Sequence, residues 1–488
     1  MNRDAIHRHI DAHLDEHIEH VQRWVRQPSV SWDDGRGVRE CAALVAESYR
    51  ALGCTEVQIL EGRFHPGVWA VYDAGAPVTL HSYCMFDTRP ASPGGWSHDP
   101  WSAALVARPP YPRVLVGRGA FSAKGPYVAF LNALASIIAV EGRLPVNVLF
   151  LAEGEEIMGS PTYRAFVDRY RDRLRTAHLS HCVTGAQNAR GTVSVGLGLK
   201  GMVVLELTAT GQAWGHGPAS TIHSSAAPLV DSPPFRLAQA LATLIEPDGG
   251  GCRVDGLAEA WAYRKPLPPG EQRVLDTLAH QYAGRDWREV LPLGGPANVP
   301  ILRGGIDGRA PLINFLYGPS LNVAGLRAGF LGPGTGTVPF VVPHAATAML
   351  DLRWVVELSP DEIVACIRRH LDARGFHDVE LTVYSAFGHA QTPADHPAVR
   401  AVRDTLAAWR VDAELWPIQA AGGPWTAVPN ACGVPMVRGG AIGGGGGTVD
   451  EYLVIDGDGR VAGLGDAEKF HVDLLDRLAR DLAPSARG

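Results

Sequence analysis

Three glutamates directly follow a short apolar stretch of the chain, and their position suggests acid–base chemistry. Residues 146–152 form a run that is apolar except for Asn147 and includes the β-branched Val146 and Val148, which predicts a buried strand. The chain continues with Glu153, Glu155 and Glu156. Because burying a carboxylate is costly unless a partner compensates its charge, acids at the end of such a strand are expected to serve a site. An acidic surface loop is the alternative, and the tightly placed glycines argue against it.

Two strings of residues earlier in the chain have the same form, an apolar run followed by small or charged residues. In chain order, the three strings are CMFDTRP (84–90), GRGAFSAKG (117–125) and EGEEIMGS (153–160). They resemble GHYDVQP, GRGASDDKG and EGEEEIGS of the dinuclear-zinc aminoacyl hydrolases, metallopeptidase family twenty. That family includes carnosinase, bacterial glutamate carboxypeptidase, acetylornithine deacetylase and succinyl-diaminopimelate desuccinylase. The order and the spacing of the strings agree.

The resemblance assigns roles to three carboxylates that this chain retains. Asp87 corresponds to the aspartate that orients the first zinc-binding histidine. Glu155 corresponds to the general base, and Glu156 to the zinc-binding glutamate beside it. All three are therefore expected to be catalytic residues.

The other zinc ligands of the family are missing. The resemblance places them at Met85, Ser122, Gly185 and Gly447, so that only Glu156 remains of five ligands. Zinc requires three or four His, Cys, Asp or Glu donors at fixed geometry, which Met, Ser and Gly cannot supply. The sequence therefore predicts no metal and no other cofactor.

Three residues in the middle of the chain complete the candidate site. The resemblance implies that His223 enters the active site of a partner subunit and contacts the reacting carbonyl oxygen. It also implies that Asn322 and Arg353 bind the substrate, Arg353 through a substrate carboxylate, for which a guanidinium is a natural bidentate partner. A homodimer joined through this part of the chain is therefore expected.

The alternation of predicted strands and helices up to residue 200 indicates an α/β fold. The resemblance implies a zinc-exopeptidase-like catalytic domain, residues 1–201 and 387–488, with an inserted α+β lid and dimerisation domain at 202–386. We expect a single amphipathic helix at 5–27, a strand at 312–325 and a mobile loop at 439–447, where glycines predominate.

Composition limits the classes of partner and location. The 488 residues carry a net charge of −7, which does not suggest nucleic acid or an anionic membrane as a partner. Seven dispersed cysteines indicate a reduced, cytoplasmic protein. No apolar run is long enough to span a membrane, and the charged N-terminus is unlike a signal peptide.

Together these features predict a metal-independent enzyme that acts on a small amino-acid-like or peptide-like substrate, with Glu155 as general acid/base. Acyl or amide transfer, cyclisation, elimination and hydrolysis are the reactions considered, in the setting of specialised biosynthesis. Two alternatives remain: a non-catalytic homologue that binds a ligand or pairs with an active relative, and an ordinary zinc dipeptidase. We expect the emptied site to be a cluster of Asp87, Glu155 and Glu156 that accepts a cationic group of the substrate.

Overall fold

The computed structural model describes residues 1–32, 34–92, 94–183, 186–247, 251–262, 266–293, 298–332 and 336–483. Its strands are β1 (Glu56–Leu60), β2 (Gly67–Tyr72), β3 (Thr79–Met85), β4 (Ala104–Arg108), β5 (Tyr111–Val116), β6 (Asn147–Glu153), β7 (Leu179–Cys182), β8 (Ala186–Gln187), β9 (Val193–Gly196), β10 (Gly198–Leu199), β11 (Gly201–Thr210), β12 (Ile222–His223), β13 (Ser320–Ala328), β14 (Val341–Val342), β15 (Ala345–Trp354), β16 (Glu380–Phe387), β17 (Ala390–Gln391), β18 (Ala413–Trp416), β19 (Met436–Arg438), β20 (Ile442–Gly445) and β21 (Tyr452–Asp456).

The helices complete the mixed α/β architecture that the sequence predicts. In chain order they are α1 (Arg3–Ala12), α2 (Leu14–Arg26), α3 (Val38–Ala51), α4 (Lys124–Glu141), α5 (Tyr163–Arg169), α6 (Arg171–Leu174), α7 (Gly211–Trp214), α8 (Pro233–Leu244), α9 (Leu257–Ala262), α10 (Pro269–Gln281), α11 (Trp287–Val290), α12 (Arg309–Tyr317), α13 (Pro360–Ala373), α14 (Pro397–Ala408), α15 (Ala427–Cys432) and α16 (Leu464–Asp481). Among the described residues, no helix is long and apolar enough to cross a membrane.

A six-stranded sheet in the order β1-β2-β6-β3-β7-β19 brings the chemically interesting segments together. Strand β6 is buried almost throughout and lies between β2, which is antiparallel to it, and β3, which is parallel. In the parallel register, Met85 at the end of β3 lies opposite Glu153 at the end of β6. The segments that follow both strands therefore leave the sheet at the same edge, where ligand sites of open α/β sheets form.

A second, seven-stranded sheet in the order β18-β9-β8-β20-β21-β5-β4 supplies the opposite wall of the site. The expectation of a mobile loop at 439–447 is wrong, because residues in this segment form the glycine-rich strand β20. Gly443 and Gly444 have no space for a side chain, because an added Cβ would lie 2.2 Å from Val461 Cγ1 and 2.2 Å from Phe121 Cδ2, respectively. These glycines permit close packing of an ordered strand.

A third sheet, antiparallel in the order β13-β15-β11-β16, packs against α8 and α13 and has its own apolar core. All four strands fall between residues 201 and 387. The separate core supports the predicted lid domain at 202–386, whose boundaries stay a prediction.

Two secondary-structure expectations are wrong. The helix expected at 5–27 is interrupted at His13, whose φ of −115° is not helical, so that α1 and α2 each turn an apolar face onto α4. The strand expected at 312–325 begins as α12, because Leu312 and Leu316 are buried four residues apart, which is helical spacing. Strand β13 starts only after Gly318.

Candidate functional site

A cavity of about 530 Å³ opens where the six-stranded and seven-stranded sheets meet. The ends of β3 and β7 and the segments after β5, β6 and β20 contribute to its walls. Its surface is partly aromatic and partly polar. The lining residues include Tyr83, Cys84, Met85, Arg89, Phe121, Ser122, Glu156, Ile157, Cys182, Trp425, Arg438, Gly446, Gly447 and Thr448.

Three of the positions where the resemblance implies lost zinc ligands lie on this one cavity. Met85 ends β3, Ser122 lies before α4, and Gly447 follows β20. The fourth position, Gly185, lies outside the described residues, although Val183 and Ala186 on either side of it line the cavity. Segments far apart in the sequence therefore converge as the family motifs predict.

The loop that carries Ser122 is fixed by a buried ion pair. Glu451 accepts hydrogen bonds from the backbone N–H groups of Phe121 (3.0 Å) and Ser122 (2.7 Å). The Arg118 guanidinium lies 2.8 Å from the other carboxylate oxygen of Glu451 and also donates to the Thr448 carbonyl. One carboxylate thus holds together the two loops that carry Ser122 and Gly447.

Asp87 is fully buried beneath the cavity and does not line it. Its carboxylate accepts hydrogen bonds from the backbone N–H groups of Glu156 (3.1 Å) and Ile157 (2.9 Å). Burial raises the pKa of Asp87 to about 6, against the lowering effect of hydrogen bonds that include these two. Asp87 therefore positions the turn that carries Glu156.

The structure places Glu155 outside the cavity, which corrects the expectation that it is the acid/base group. One carboxylate oxygen accepts hydrogen bonds from the N–H groups of Phe64 and His65, both at 2.8 Å. The other accepts from the N–H of Thr162 at 3.1 Å. Both oxygens are thus occupied by backbone donors, and Glu155 fastens the 62–65 loop to the segment before α5.

Glu156 is the carboxylate that faces the cavity, and Ile157 beside it also lines the wall. Burial, and then the nearby Asp87 carboxylate, raise the pKa of Glu156 to about 7, while Arg89 and Arg438 oppose this rise. The strings EGEEIMGS and EGEEEIGS have equal length and differ at the fifth and sixth letters. Because Glu156 and Ile157 are the two neighbours that line the cavity, the geometry favours placing the family's acid/base glutamate at the fourth letter, which is Glu156 here. The family's zinc-binding glutamate then falls on the fifth letter, which is Ile157 here.

Two arginines that line the cavity are not among the site residues expected from the sequence. Arg89 Nη1 donates to the Gly447 carbonyl at 3.4 Å. Arg438, at the end of β19, donates from Nη1 to Gln419 Oε1 at 2.5 Å, and its guanidinium lies 5.5 Å from the centre of the Trp425 ring. A signal for Arg89 was present, because CMFDTRP has arginine where GHYDVQP has glutamine. The expected cluster of three carboxylates is therefore wrong, because among the described residues one carboxylate and two guanidinium groups line the cavity.

The side chains of the cavity do not fit a dinuclear zinc site. With Glu156 and Ile157 matched to the family's pair, none of the described positions for zinc ligands carries a His, Asp, Glu or Cys. Among the described residues, no group of three or more His, Cys, Asp or Glu side chains is arranged to hold a metal ion. The donor set is too small for the coordination that zinc requires.

The three predicted residues of the lid domain lie outside the cavity in this chain. His223 is exposed on β12, and its Nδ1 is 2.9 Å from Ser225 Oγ. Asn322 is exposed on β13, in register with Asp351 of β15. Arg353 donates to both carboxylate oxygens of Asp351, at 2.8 and 3.3 Å, so its guanidinium fork already holds a carboxylate.

Arg353 nevertheless lies near the cavity wall. A Cβ added to Gly422 would be 3.3 Å from Arg353 Nη1, and Gly422 is three residues before Trp425 of the lining. The structure thus brings Arg353 close to the cavity and to Asn322, which lies opposite its partner Asp351 on the neighbouring strand, while His223 lies on a separate two-stranded sheet.

Comparison with known proteins gives a consistent family. The model of peptidase family M20/M25/M40 matches residues 86–457. The chain is 24% identical to the Beta-Ala-His dipeptidase of Rattus norvegicus over 396 residues, which is 76% of this chain and 73% of that protein. It is 25% identical to the Cys-Gly metallodipeptidase dug1 of Schizosaccharomyces pombe over 388 residues, 76% of each chain.

Solved structures agree on the fold. An M20 family metallo-carboxypeptidase from Sulfolobus solfataricus superposes with a TM-score of 0.79 at 25% identity, covering 95% of this chain and 99% of that one. Human carnosine dipeptidase 1 superposes with a TM-score of 0.71 at 19% identity, covering 98% of this chain and all of that one.

Proposed function

Because the chain belongs to peptidase family M20/M25/M40, we propose that it is an enzyme of aminoacyl or peptide-like substrates in which Glu156 transfers protons without the help of a metal. The observation that carries the proposal is the position of Glu156, a mostly buried carboxyl at the wall of the cavity that also holds the replaced ligand positions Met85, Ser122 and Gly447. Its pKa of about 7 is suited to general acid/base catalysis at neutral pH.

The cavity supports acyl chemistry on a small substrate. Its volume of about 530 Å³ falls in the range of small-molecule sites. In the ionised form Glu156 accepts a proton from an attacking amine or water, and in the protonated form it donates one to a leaving group. Guanidinium groups in a partly buried site stabilise negative charge that develops on a carbonyl oxygen. Because the described residues of the site offer no ligand set for a metal that would activate a hydroxide, reactions of already activated acyl groups suit it better than hydrolysis of an ordinary peptide bond.

Assembly as a homodimer through the lid domain is part of the proposal. Leu326 on edge strand β13 and Phe340 near His223 are 62% and 63% exposed in the single chain. Apolar side chains exposed on one sheet edge and an adjoining loop favour an interface with a second copy. In such a dimer, His223 serves the cavity of the partner.

The test compares an activated aminoacyl substrate with ordinary dipeptides. We expect release of nitrophenolate from an aminoacyl 4-nitrophenyl ester to be unchanged by EDTA and to fall by about 10²- to 10⁴-fold in Glu156→Gln, the range that general acid/base catalysis contributes. Glu47→Gln, which alters an exposed ion pair with Arg23, is the control and should keep full activity.

Metal content is measured on the same preparations. Elemental analysis should find no stoichiometric zinc, and EDTA should leave the thermal midpoint unchanged. Metal independence is contradicted by two results together. The first is hydrolysis of β-Ala-His or Cys-Gly that requires added zinc, and the second is one or two bound zinc ions per chain that are lost in Glu156→Ala. A protein that binds ligands in the cavity but turns over none of these substrates supports a non-catalytic homologue instead.

A further inference from the structure

The charges on the cavity wall point to the chemical class of the ligand. Among the lining residues that the structure describes, the ionisable acids and bases charged near neutral pH are Glu156, Arg89 and Arg438. With Glu156 ionised, the wall itself carries two positive charges and one negative charge, and Asp87, buried beneath the wall, adds a negative charge that a ligand cannot contact. The two guanidinium groups are therefore the charged donors that an anionic group in the cavity can contact.

Arg89 occupies the place next to a lost ligand position. A Cβ added to Gly447 would lie 3.4 Å from Arg89 Nη1 and 3.8 Å from its Cζ. A side chain longer than alanine at position 447 would therefore compete with this guanidinium for the same space. The positive charge of Arg89 stands beside the position where the family resemblance implies a zinc-binding histidine.

Arg438 reaches the same space from a different strand. It extends from the end of β19, the neighbour of β7, and its bond to Gln419 and its position over Trp425 orient the guanidinium. Both arginines act electrostatically on Glu156, where they oppose the rise of its pKa. Two guanidinium groups from different segments thus line one cavity and act on the same carboxylate.

We propose that Arg89 and Arg438 bind a carboxylate group of the ligand, whose apolar body packs against Tyr83, Phe121 and Trp425. Arginine pairs with planar anions through parallel charge-assisted hydrogen bonds, and carboxylate geometry matches its fork. The three aromatic residues line the rest of the cavity. The inference deepens the proposed function and rests on it for the statement that the ligand is a substrate.

The experiment is titration calorimetry of the full chain with four matched probes: 3-phenylpropionate, 3-phenylpropionamide, 3-phenylpropylamine and phenyl phosphate. We expect the carboxylate to bind at least tenfold more tightly than the neutral amide, and the amine more weakly than either. Equal or tighter binding of the amine overturns the inference. Tighter binding of phenyl phosphate than of the carboxylate overturns the assignment of a carboxylate.

Variants assign the binding to the arginines. Arg89→Gln, which restores the glutamine of the family string, and Arg438→Gln should each weaken 3-phenylpropionate binding by about 10- to 100-fold, as expected for loss of a charge-assisted hydrogen bond. Arg403→Gln on α14, exposed and outside this cavity, is the matched control and should bind as the wild type does. Unchanged affinity in both cavity variants, with circular dichroism intact, overturns the inference.

One further variant separates the inference from the proposed function. Glu156→Gln removes the negative charge beside the arginines, so 3-phenylpropionate should bind it equally or more tightly while turnover is lost. Full turnover by Glu156→Gln refutes the proposed function and leaves the arginine site standing. If Glu156→Gln loses turnover but both arginine variants keep the carboxylate affinity of the wild type, the arginine site alone is refuted.

Discussion

Two adjacent glutamates with the same chemistry take opposite roles because their environments differ. Glu155 is surrounded by backbone N–H donors that hold both of its oxygens and fix a loop. Glu156 lies at the cavity wall near Asp87, where burial and like charge favour its neutral form. The direction of each side chain is therefore the reason for proposing Glu156 as the acid/base group and Glu155 as a structural residue.

Replacement of Glu155 is expected to affect stability more than activity. Glu155→Gln loses the charge of an acceptor that binds three backbone N–H groups, and turns one of its oxygens into an amide NH₂ that faces a donor. We expect the free energy of unfolding to fall by about 3 kcal/mol, measured by urea denaturation. Glu47→Gln, which removes an exposed ion pair with Arg23, should change the free energy of unfolding by less than about 1 kcal/mol. Normal stability combined with lost turnover would instead return the acid/base role to Glu155.

The raised pKa of Glu156 predicts a pH dependence of stability. Between its ordinary value of 4.5 and about 7, the unfolded chain loses the proton while the folded chain keeps it. Stability therefore falls as the pH rises through this window, by up to about 3 kcal/mol, and is level above it. The unfolding free energy of the wild type minus that of Glu156→Gln should fall by this amount from pH 4.5 to 7. A difference that does not vary with pH would show that the pKa is not raised.

At the scale of elements, the site depends on strands that end at a common edge and on a glycine strand that closes the other wall. Strand β20 lies between β8 and β21, and its glycines let Phe121 and Tyr452 approach its backbone. This places Gly446 and Gly447 beside Ser122 and Arg89. The glycine run serves close packing, and its conformational freedom is suppressed by strand pairing.

A methyl group added to this strand should be costly. In Gly444→Ala the new Cβ would lie 2.2 Å from Phe121 Cδ2 and 2.6 Å from the Tyr452 carbonyl oxygen. Because a backbone atom cannot move aside as a side chain does, we expect a loss of about 1–3 kcal/mol in unfolding free energy. Gly325→Ala, in strand β13 with its nearest neighbour 4.0 Å away, is the matched control and should change stability by less than about 0.5 kcal/mol. Equal effects would mean that β20 is not closely packed.

At the scale of the whole molecule, the described lining of the cavity in a single chain lacks three residues that the family resemblance assigns to the site: His223, Asn322 and Arg353. The cavity is built by the two sheets of the predicted catalytic domain, whereas His223 is exposed on β12. A site completed by a second copy is consistent with the proposed dimer.

Complementation between two inactive variants tests this arrangement. Mixed dimers of Glu156→Gln and His223→Ala contain one cavity with both Glu156 and a partner's His223. After unfolding and refolding together, a statistical mixture should regain about a quarter of wild-type turnover, because half of the dimers have one of two sites intact. Leu326→Glu should give monomers by light scattering, and Phe64→Glu, exposed outside the lid domain, should not. A monomeric wild type at micromolar concentration contradicts the role of His223.

The sequence by itself determined the family, the fold class and the convergence of Met85, Ser122 and Gly447, because motifs at the ends of strands keep their spacing and strand ends share an edge. Only the tertiary structure decided which glutamate enters the cavity, since the 62–65 loop supplies the donors that turn Glu155 away. Arg89 and Arg438 lie on separate segments, and no local pattern relates them. Both arginines reach the same cavity because β3 and β19 flank β7 in one sheet. The order of strands in the sheet sets this proximity, and the spacing of residues along the chain does not reveal it.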